Sequence, residues 1–117
     1  MLAAIKTLSN NSTRSGNAMN LLVMNIKREF FADILAVPKR KRIEYRDLTD
    51  YWLSRLEKVG PAPFKIRLLN GMLPPVPEAT IIVEKVVISK ARQEIQFHLG
   101  RVCKVEHWDR KTERPIK

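Results

Sequence analysis

A short basic run, residues 39–46, holds the side chains best suited to chemistry, because five lysines and arginines surround one acid, Glu44. If residues 41–46 of this run are extended, alternate side chains point to opposite faces. Arg42, Glu44 and Arg46 then share one face, and Lys41 lies on the other. A carboxylate between two arginines stays ionised and can orient a guanidinium toward a phosphate or a base edge. The run therefore indicates an anion-binding site, with a purely structural Glu44–Arg46 ion pair as the alternative.

Aromatic side chains follow this run at Tyr45, Tyr51 and Trp52. Flat rings beside positive charge are the means by which proteins hold unpaired bases. Trp52 lies on the apolar stripe of a predicted helix, so we expect it in the core. Tyr51 and Arg55, four residues apart, face another way and are the better candidates for contact with a ligand.

Other residue types that carry chemistry are sparse. Cys103 is the only cysteine, so no internal disulfide forms, which favours a reducing compartment. Cys103 and His107 lie four residues apart, but a closed zinc site needs four ligands, so we predict no metal and no cofactor. We expect Cys103 to be a small, partly buried residue. His98 and His107 are expected to be ordinary strand or surface histidines.

The charge of the chain is its most unusual property. Twenty-two Lys and Arg stand against 12 Asp and Glu, which leaves a net charge of +10. Such a protein attracts polyanions through counterion release, so nucleic acid is the first partner to consider and an anionic membrane surface the second. A basic domain that is merely soluble is the third reading. The uninterrupted apolar runs are only a few residues long, which excludes a membrane span.

The length of 117 residues suits one domain. Residues 1–18 are rich in Ser, Thr and Asn and contain no acid, which predicts a flexible extension. This composition also resembles that of a transit peptide. The alternative is that the domain begins at Met19, a second possible start, and that residues 1–18 are an extension upstream of it. Residues 19–109 form the predicted domain. Residues 110–117 form a charged C-terminal tail, which we expect to be frayed.

Hydrophobic periodicity predicts the elements in the order strand, helix, strand, helix, then three or four strands. Pro38 ends the first helix, and Gly60 with Pro61 ends the second. Alternation in residues 95–99, then Gly100, then residues 102–108, indicates two separate final strands. Short connections and only two short helices favour an α+β domain containing a small, mixed, mostly antiparallel β-barrel.

Two segments carry a family resemblance. Phe31-Ala32-Asp33-Ile34-Leu35-Ala36, followed by Lys41-Arg42-Ile43-Glu44-Tyr45-Arg46, resembles the signature of ASCH domains (activating signal cointegrator homology), in which a helix ending in Ile-x-x-Gly leads into GxKxxExR. The later Tyr-Trp-Leu-x-x-Leu is similar to versions in small bacterial and prophage members. Lys39 stands where the motif has glycine, and Val37-Pro38 is a small insertion.

The resemblance implies a fold akin to the PUA RNA-binding domain, with a cleft whose wall carries the motif. The leading hypothesis is an RNA-binding module that acts as a cytoplasmic monomer and contacts no membrane. A modified nucleoside is the other ligand considered. Phosphates are expected to meet Lys39, Arg40, Lys41, Arg42 and Arg46. Tyr51 and Arg55 are expected to line the cleft.

Two further functions stay open. Some small bacterial relatives are ribonucleases or amidohydrolases that remove the acetyl group of acetylcytidine, and that resemblance would make Lys41 catalytic with Glu44 beside it. In the amidohydrolase a threonine stands at the position of Glu44, and its downstream acid has only Glu78 and Glu84 as candidates by position. The third hypothesis is a protein-interaction factor of prophage origin whose charge addresses an acidic partner protein.

Overall fold

The alternation of apolar and polar residues produces one curled sheet and two short helices. The computed structural model describes residues 19–116, so the flexible extension predicted for residues 1–18 lies outside the described residues. The elements are β1 (Leu21–Asn25), α1 (Arg28–Leu35), β2 (Ile43–Asp47), α2 (Asp50–Val59), β3 (Phe64–Leu69), β4 (Glu78–Ser89), β5 (Glu94–Glu106), β6 (Trp108–Asp109) and β7 (Arg114–Pro115).

The two helices begin and end where the sequence carries local signals. Thr49 precedes α2, and its side-chain oxygen accepts a hydrogen bond from the backbone N–H of Trp52 at 3.3 Å, which satisfies one donor of the first turn. Gly60 ends the helix with a φ of 86°, a conformation that residues with a Cβ rarely adopt. Helix α1 buries Phe31 and Ile34 on one face, as the spacing of its apolar residues predicts.

The main sheet has the strand order β1-β3-β4-β5-β2. Strand β1 runs parallel to β3, and all other neighbours in this sheet are antiparallel. Register shifts between Thr80 and Lys85 curl the long β4–β5 hairpin, because each extra residue bends the strand that contains it. The sheet is therefore a half-barrel. The mixed, mostly antiparallel β-barrel predicted from the sequence is present as this half-barrel, in which β1 and β2 are the edge strands.

Gly100 does not separate two strands, contrary to the sequence prediction. Strand β5 continues through it from Glu94 to Glu106. A Cβ at Gly100 would lie 2.5 Å from the carboxylate of Glu84, so the glycine admits a neighbouring side chain within the strand. Glycine inside a strand commonly marks a bulge or a close approach of this kind.

The predicted charged tail, expected to be frayed, is paired as far as the structure describes it. Arg114–Pro115 pairs with Trp108–Asp109 to form a small second sheet. Asp109 accepts hydrogen bonds from the backbone N–H groups of Lys111 at 2.8 Å and Thr112 at 3.3 Å, which closes the turn. The tail therefore folds back on the domain through residue 116.

The core lies between the concave face of the sheet and α1. Phe31 of α1 meets Trp108 edge to face, with ring centroids 5.0 Å apart. Neither helix within residues 19–116 has the length and apolar character that a bilayer crossing requires. The buried apolar side chains include Leu22, Met24, Phe31, Ile34, Leu35, Phe64, Ile66, Leu68, Ile81, Val83, Ile95, Phe97 and Leu99.

An ion pair across β3 and β4 predicts a dependence of stability on pH. Arg67 donates two hydrogen bonds to Glu78, at 3.0 and 2.9 Å, and they hold the pKa of that carboxyl below its usual range, although partial burial opposes the shift. A lowered pKa contributes stability above the range in which the unfolded carboxyl titrates and loses it as the pH falls. Wild type is therefore expected to melt at a higher temperature than Glu78→Gln at about pH 6, with the difference shrinking as the pH falls below the range in which the unfolded carboxyl titrates. Thermal unfolding followed by circular dichroism measures this, and Arg67→Ala should give the same profile as Glu78→Gln. Parallel pH profiles for wild type and Glu78→Gln would contradict the prediction.

Candidate functional site

Guanidinium groups bridge the gap between the two edge strands of the half-barrel. In the parallel pairing of β1 with β3, the backbone groups of alternate β1 residues form hydrogen bonds with β3. The carbonyls of Val23 and Asn25 therefore point to the free edge of β1. Arg55 donates to the Val23 carbonyl at 2.5 Å, and Arg46 donates to the Asn25 carbonyl at 2.7 Å. Backbone carbonyls at an edge need partners. Here two arginine side chains supply them and hold β1 near β2 and α2.

A cavity of about 330 Å³ lies at this gap, which we call the seam cavity. It is formed by the end of β1, the start of α1 and one face of β2. Its volume is at the lower end of the range for small-molecule sites. Its wall combines three cationic side chains, one carboxylate and two aromatic rings. The lining residues are Asn25, Ile26, Lys27, Phe30, Lys41, Glu44, Tyr45 and Arg46.

Among residues 19–116, Glu44 is the only charged or polar residue that is buried, with 3% of its surface exposed. It lies in β2 directly opposite Phe97 of β5, on the core side of the sheet. Burial of a carboxylate is unfavourable unless cations and donors compensate it. One oxygen of the Glu44 carboxylate lies 3.4 Å from Lys41 Nζ, and the other accepts a hydrogen bond from Arg46 Nη1. The carboxylate thus holds two cations at the wall of the seam cavity.

Lys41 lies on the same side as Glu44, whereas the alternation of an extended run placed the two on opposite faces. The reason is that β2 begins only at Ile43, so residue 41 precedes the regular strand. The backbone N–H of Lys41 donates to the Asp33 carbonyl at 2.9 Å, which ties this loop to α1. Its ammonium then lies 5.1 Å from the ring centre of Phe30 and 5.5 Å from that of Tyr45. Lys41, Glu44 and Arg46 therefore converge.

Trp52 was predicted to be a core residue, but it also contacts two arginines of the site. It is half-buried and packs against the core, as expected from its helical spacing. However, its indole ring also lies 5.6 Å from the guanidinium of Arg46 and 5.2 Å from that of Arg55. Such cation–π contacts fix guanidinium planes. The signal available in the sequence was the arginine three residues further along the same helix.

Tyr51 and Arg55 line a hollow beside the seam cavity rather than the cavity itself. This hollow has a volume of about 650 Å³ and also includes Lys58 and Asn20. Arg55 Nη1 donates to the Tyr51 hydroxyl at 3.1 Å, and its guanidinium lies 5.6 Å from the Tyr51 ring centre. Tyr51 is exposed. The Trp52 ring contacts Arg46, which lines the seam cavity, and Arg55, which lines the hollow.

The first part of the basic run lies outside the seam cavity. Lys39 and Arg42 are exposed. Arg40 points toward β5, where its Nη2 donates to the carbonyl of Gly100, and its buried Nη1 has no hydrogen-bond partner within residues 19–116. Burial lowers the pKa of Arg40, and the nearby positive charges of Arg42 and Arg110 lower it further. Of the five basic residues expected to contact a ligand, only Lys41 and Arg46 line the cavity.

Several residues of the cavity were not anticipated. Asn25, Lys27 and Phe30 come from the β1–α1 connection, far from the basic run in sequence. The two acids considered as partners for Lys41 lie elsewhere, since Glu78 is bound by Arg67 and Glu84 lies against Gly100. Cys103, expected to be partly buried, is exposed, and it lies at a register shift of β5 between Val102 and Lys104, which pair with Ile81 and Thr80. No group of three His, Cys, Asp or Glu suited to a metal occurs within residues 19–116.

No protein-family model, no curated protein and no solved structure matches this chain. Its function must therefore be inferred from the residues at the seam. A cavity with two aromatic rings, three cations and one buried carboxylate in its wall suits a flat, polar ring that carries negative charge nearby.

Proposed function

We propose that this chain is an RNA-binding module of ASCH type, with a PUA-like fold, that acts in the cytoplasm. In this proposal, one unpaired nucleotide enters the seam cavity while the flanking strand crosses the basic surface around it. The observation that carries the proposal is the convergence of Lys41, Glu44 and Arg46 at a cavity walled by Phe30 and Tyr45. The net charge of +10 supports a polyanionic partner.

The base is recognised by its faces and by its edge. Phe30 and Tyr45 are both partly exposed large rings, so they can stack on a planar base without a large rearrangement. Glu44 can accept a hydrogen bond from an N–H group on the base edge, which gives the buried carboxylate a role beyond bracing. Single-stranded RNA offers such edges because its bases are free of pairing.

The phosphates are bound by the cations around the cavity mouth. Lys27 is exposed at the start of α1, and Lys41 retains 28% of its side-chain surface. The neighbouring hollow offers Arg55, Lys58 and the exposed ring of Tyr51 to the next nucleotide. Lys39, Arg40 and Arg42 contribute long-range attraction rather than direct contact. Arg46 is a positioning residue, since its guanidinium is occupied by protein groups.

Binding of a fluorescein-labelled single-stranded RNA of mixed sequence tests the proposal by anisotropy at several salt concentrations. Affinity should fall steeply as salt rises, because phosphate contacts release counterions. Lys41→Ala should weaken binding about fivefold, as expected for one modest hydrogen-bonded contact. It should also reduce the magnitude of the log–log salt slope by about 0.7, the value for one phosphate of a single strand.

The matched control is Lys85→Ala, which removes the same charge from an exposed position in the middle of β4. It should leave the affinity nearly unchanged. Affinity that is independent of salt, or equal losses in both variants, would overturn the proposal. Turnover of RNA or acetylated cytidine by wild type, absent in Lys41→Ala, would assign the same cavity to a hydrolase instead.

A further inference from the structure

The loop between β3 and β4 presents two large apolar side chains to solvent. Met72 and Leu73 are each 86% exposed, the highest values among the exposed large hydrophobic residues within residues 19–116. Isolated exposed apolar residues are ordinary, but here two of them are adjacent at the tip of one loop. We call Met72 and Leu73 the apolar tip.

The apolar tip is held in place rather than loose. The backbone N–H of Asn70 donates to the Pro77 carbonyl at 2.9 Å, which closes the base of the loop. Pro74, Pro75 and Pro77 each fix their own φ and so reduce the freedom of the segment. A protruding segment that is already ordered loses little entropy when it enters a partner.

The tip also stands beside the seam cavity. The Asn70 side chain donates to the Ile26 carbonyl at 2.9 Å and accepts from Arg28 Nε at 2.7 Å. Ile26 lines the seam cavity, and Asn25 lines both that cavity and the hollow of about 430 Å³ beneath Met72. The apolar tip, the cavity and the exposed start of α1 thus form one continuous surface.

We infer that the apolar tip is a wedge that enters the base stack of a base-paired RNA stem, next to the nucleotide held in the seam cavity. The inference rests on the proposed function. When a base rotates out of a stem, it loses its stacking contacts and a gap forms between its former neighbours. Apolar side chains inserted into the stem can fill that gap. The tip supplies such side chains, and the cavity beside it supplies a place for the displaced base. Lys27 and Arg28, both exposed at the start of α1, lie where the phosphates of the stem would pass.

Charge and position favour a nucleic-acid stem over other partners of an apolar tip. A neutral protein surface would not use the exposed positive charge of Lys27 and Arg28 at the start of α1. An anionic membrane would use both charge and tip, but it would leave the adjacent cavity with its buried carboxylate without a role. A base-paired stem uses all three features at once.

The test compares wild type with a Met72→Ser/Leu73→Ser double variant on two RNAs that carry 2-aminopurine, a fluorescent base whose emission rises when it leaves a stack. One RNA is a hairpin with 2-aminopurine in its stem, and the other is single-stranded with the same composition. Both exposed positions tolerate serine without loss of packing, and circular dichroism checks the fold. Ile88→Ser, at an exposed apolar position in β4, is the matched control.

Wild type and Ile88→Ser should bind the hairpin with a rise in 2-aminopurine fluorescence. The double variant should bind the hairpin about fivefold more weakly and lose the fluorescence rise, while its affinity for the single strand stays within about twofold of wild type. Unchanged hairpin binding and fluorescence in the double variant, with single-strand binding intact, would overturn the wedge and leave the proposed function standing. Wild type that binds neither RNA would overturn both.

A flotation assay with vesicles of equal parts phosphatidylcholine and phosphatidylserine covers the membrane alternative. Wild type should remain in the unbound fraction. If wild type floats with the vesicles and the double variant does not, while hairpin binding is the same for both, the tip is a membrane anchor and the inference is wrong.

Discussion

Replacing Glu44 by alanine is expected to lower the free energy of unfolding by about 3 kcal/mol, because removal of one member of a buried ion pair leaves the other charges without compensation. Lys41 and Arg46 would then stand together at the cavity wall with no anion between them. Urea denaturation followed by tryptophan fluorescence measures the loss. The control is Glu57→Ala, at an exposed position of α2, which should change stability little.

A double-mutant cycle shows whether the loss arises from the ion pair or from the cavity that alanine leaves. Glu44→Ala, Arg46→Ala and the double variant should give a coupling energy above about 1 kcal/mol. Glu44→Gln keeps the shape of the side chain, so it should be less destabilising than alanine while still losing the charge. An alanine variant within about 0.5 kcal/mol of wild type would mean that Glu44 is not needed to hold the two cations.

Replacing Arg46 by alanine is expected to weaken binding of the single-stranded RNA about 30-fold, the equivalent of about 2 kcal/mol. Arg46 donates to Glu44 and to the carbonyl of Asn25, and its guanidinium lies over the Trp52 ring. Without it, β1 and β2 lose the bridge that shapes the seam cavity. Anisotropy at fixed salt measures the affinity, and urea denaturation verifies that the variant is folded at the temperature of the assay.

Arg46→Lys separates charge from geometry, because lysine preserves the positive charge but cannot donate in a planar fork. It should bind about tenfold more weakly than wild type, with the salt slope unchanged. Arg92→Lys, in the exposed turn between β4 and β5, is the matched control and should bind as wild type does. Full affinity in Arg46→Lys would show that charge alone matters and that the bridge across the seam has no part in binding.

Elements with local signals are predictable from the residues alone. The apolar periodicity of the helices and of β3 and the glycine that ends α2 are properties of neighbouring residues, and the structure has these elements in the predicted order. The convergence of Glu44 and Arg46 was also predictable, since two residues of one strand share a face whatever the sheet does. The net charge of +10 follows from the composition and does not depend on the fold.

The set of residues that form the cavity depends on contacts between segments that are far apart in the chain. Asn25 and Phe30 reach it because the parallel pairing of β1 with β3 brings the start of α1 beside β2, a contact between segments that no local pattern encodes. Lys41 joins Glu44 because β2 begins at Ile43, two residues after Lys41, and strand boundaries depend on partner strands. The half-barrel stays open for the same reason, since closure requires that two distant edges pair, and here arginine side chains satisfy the free carbonyls of β1 instead.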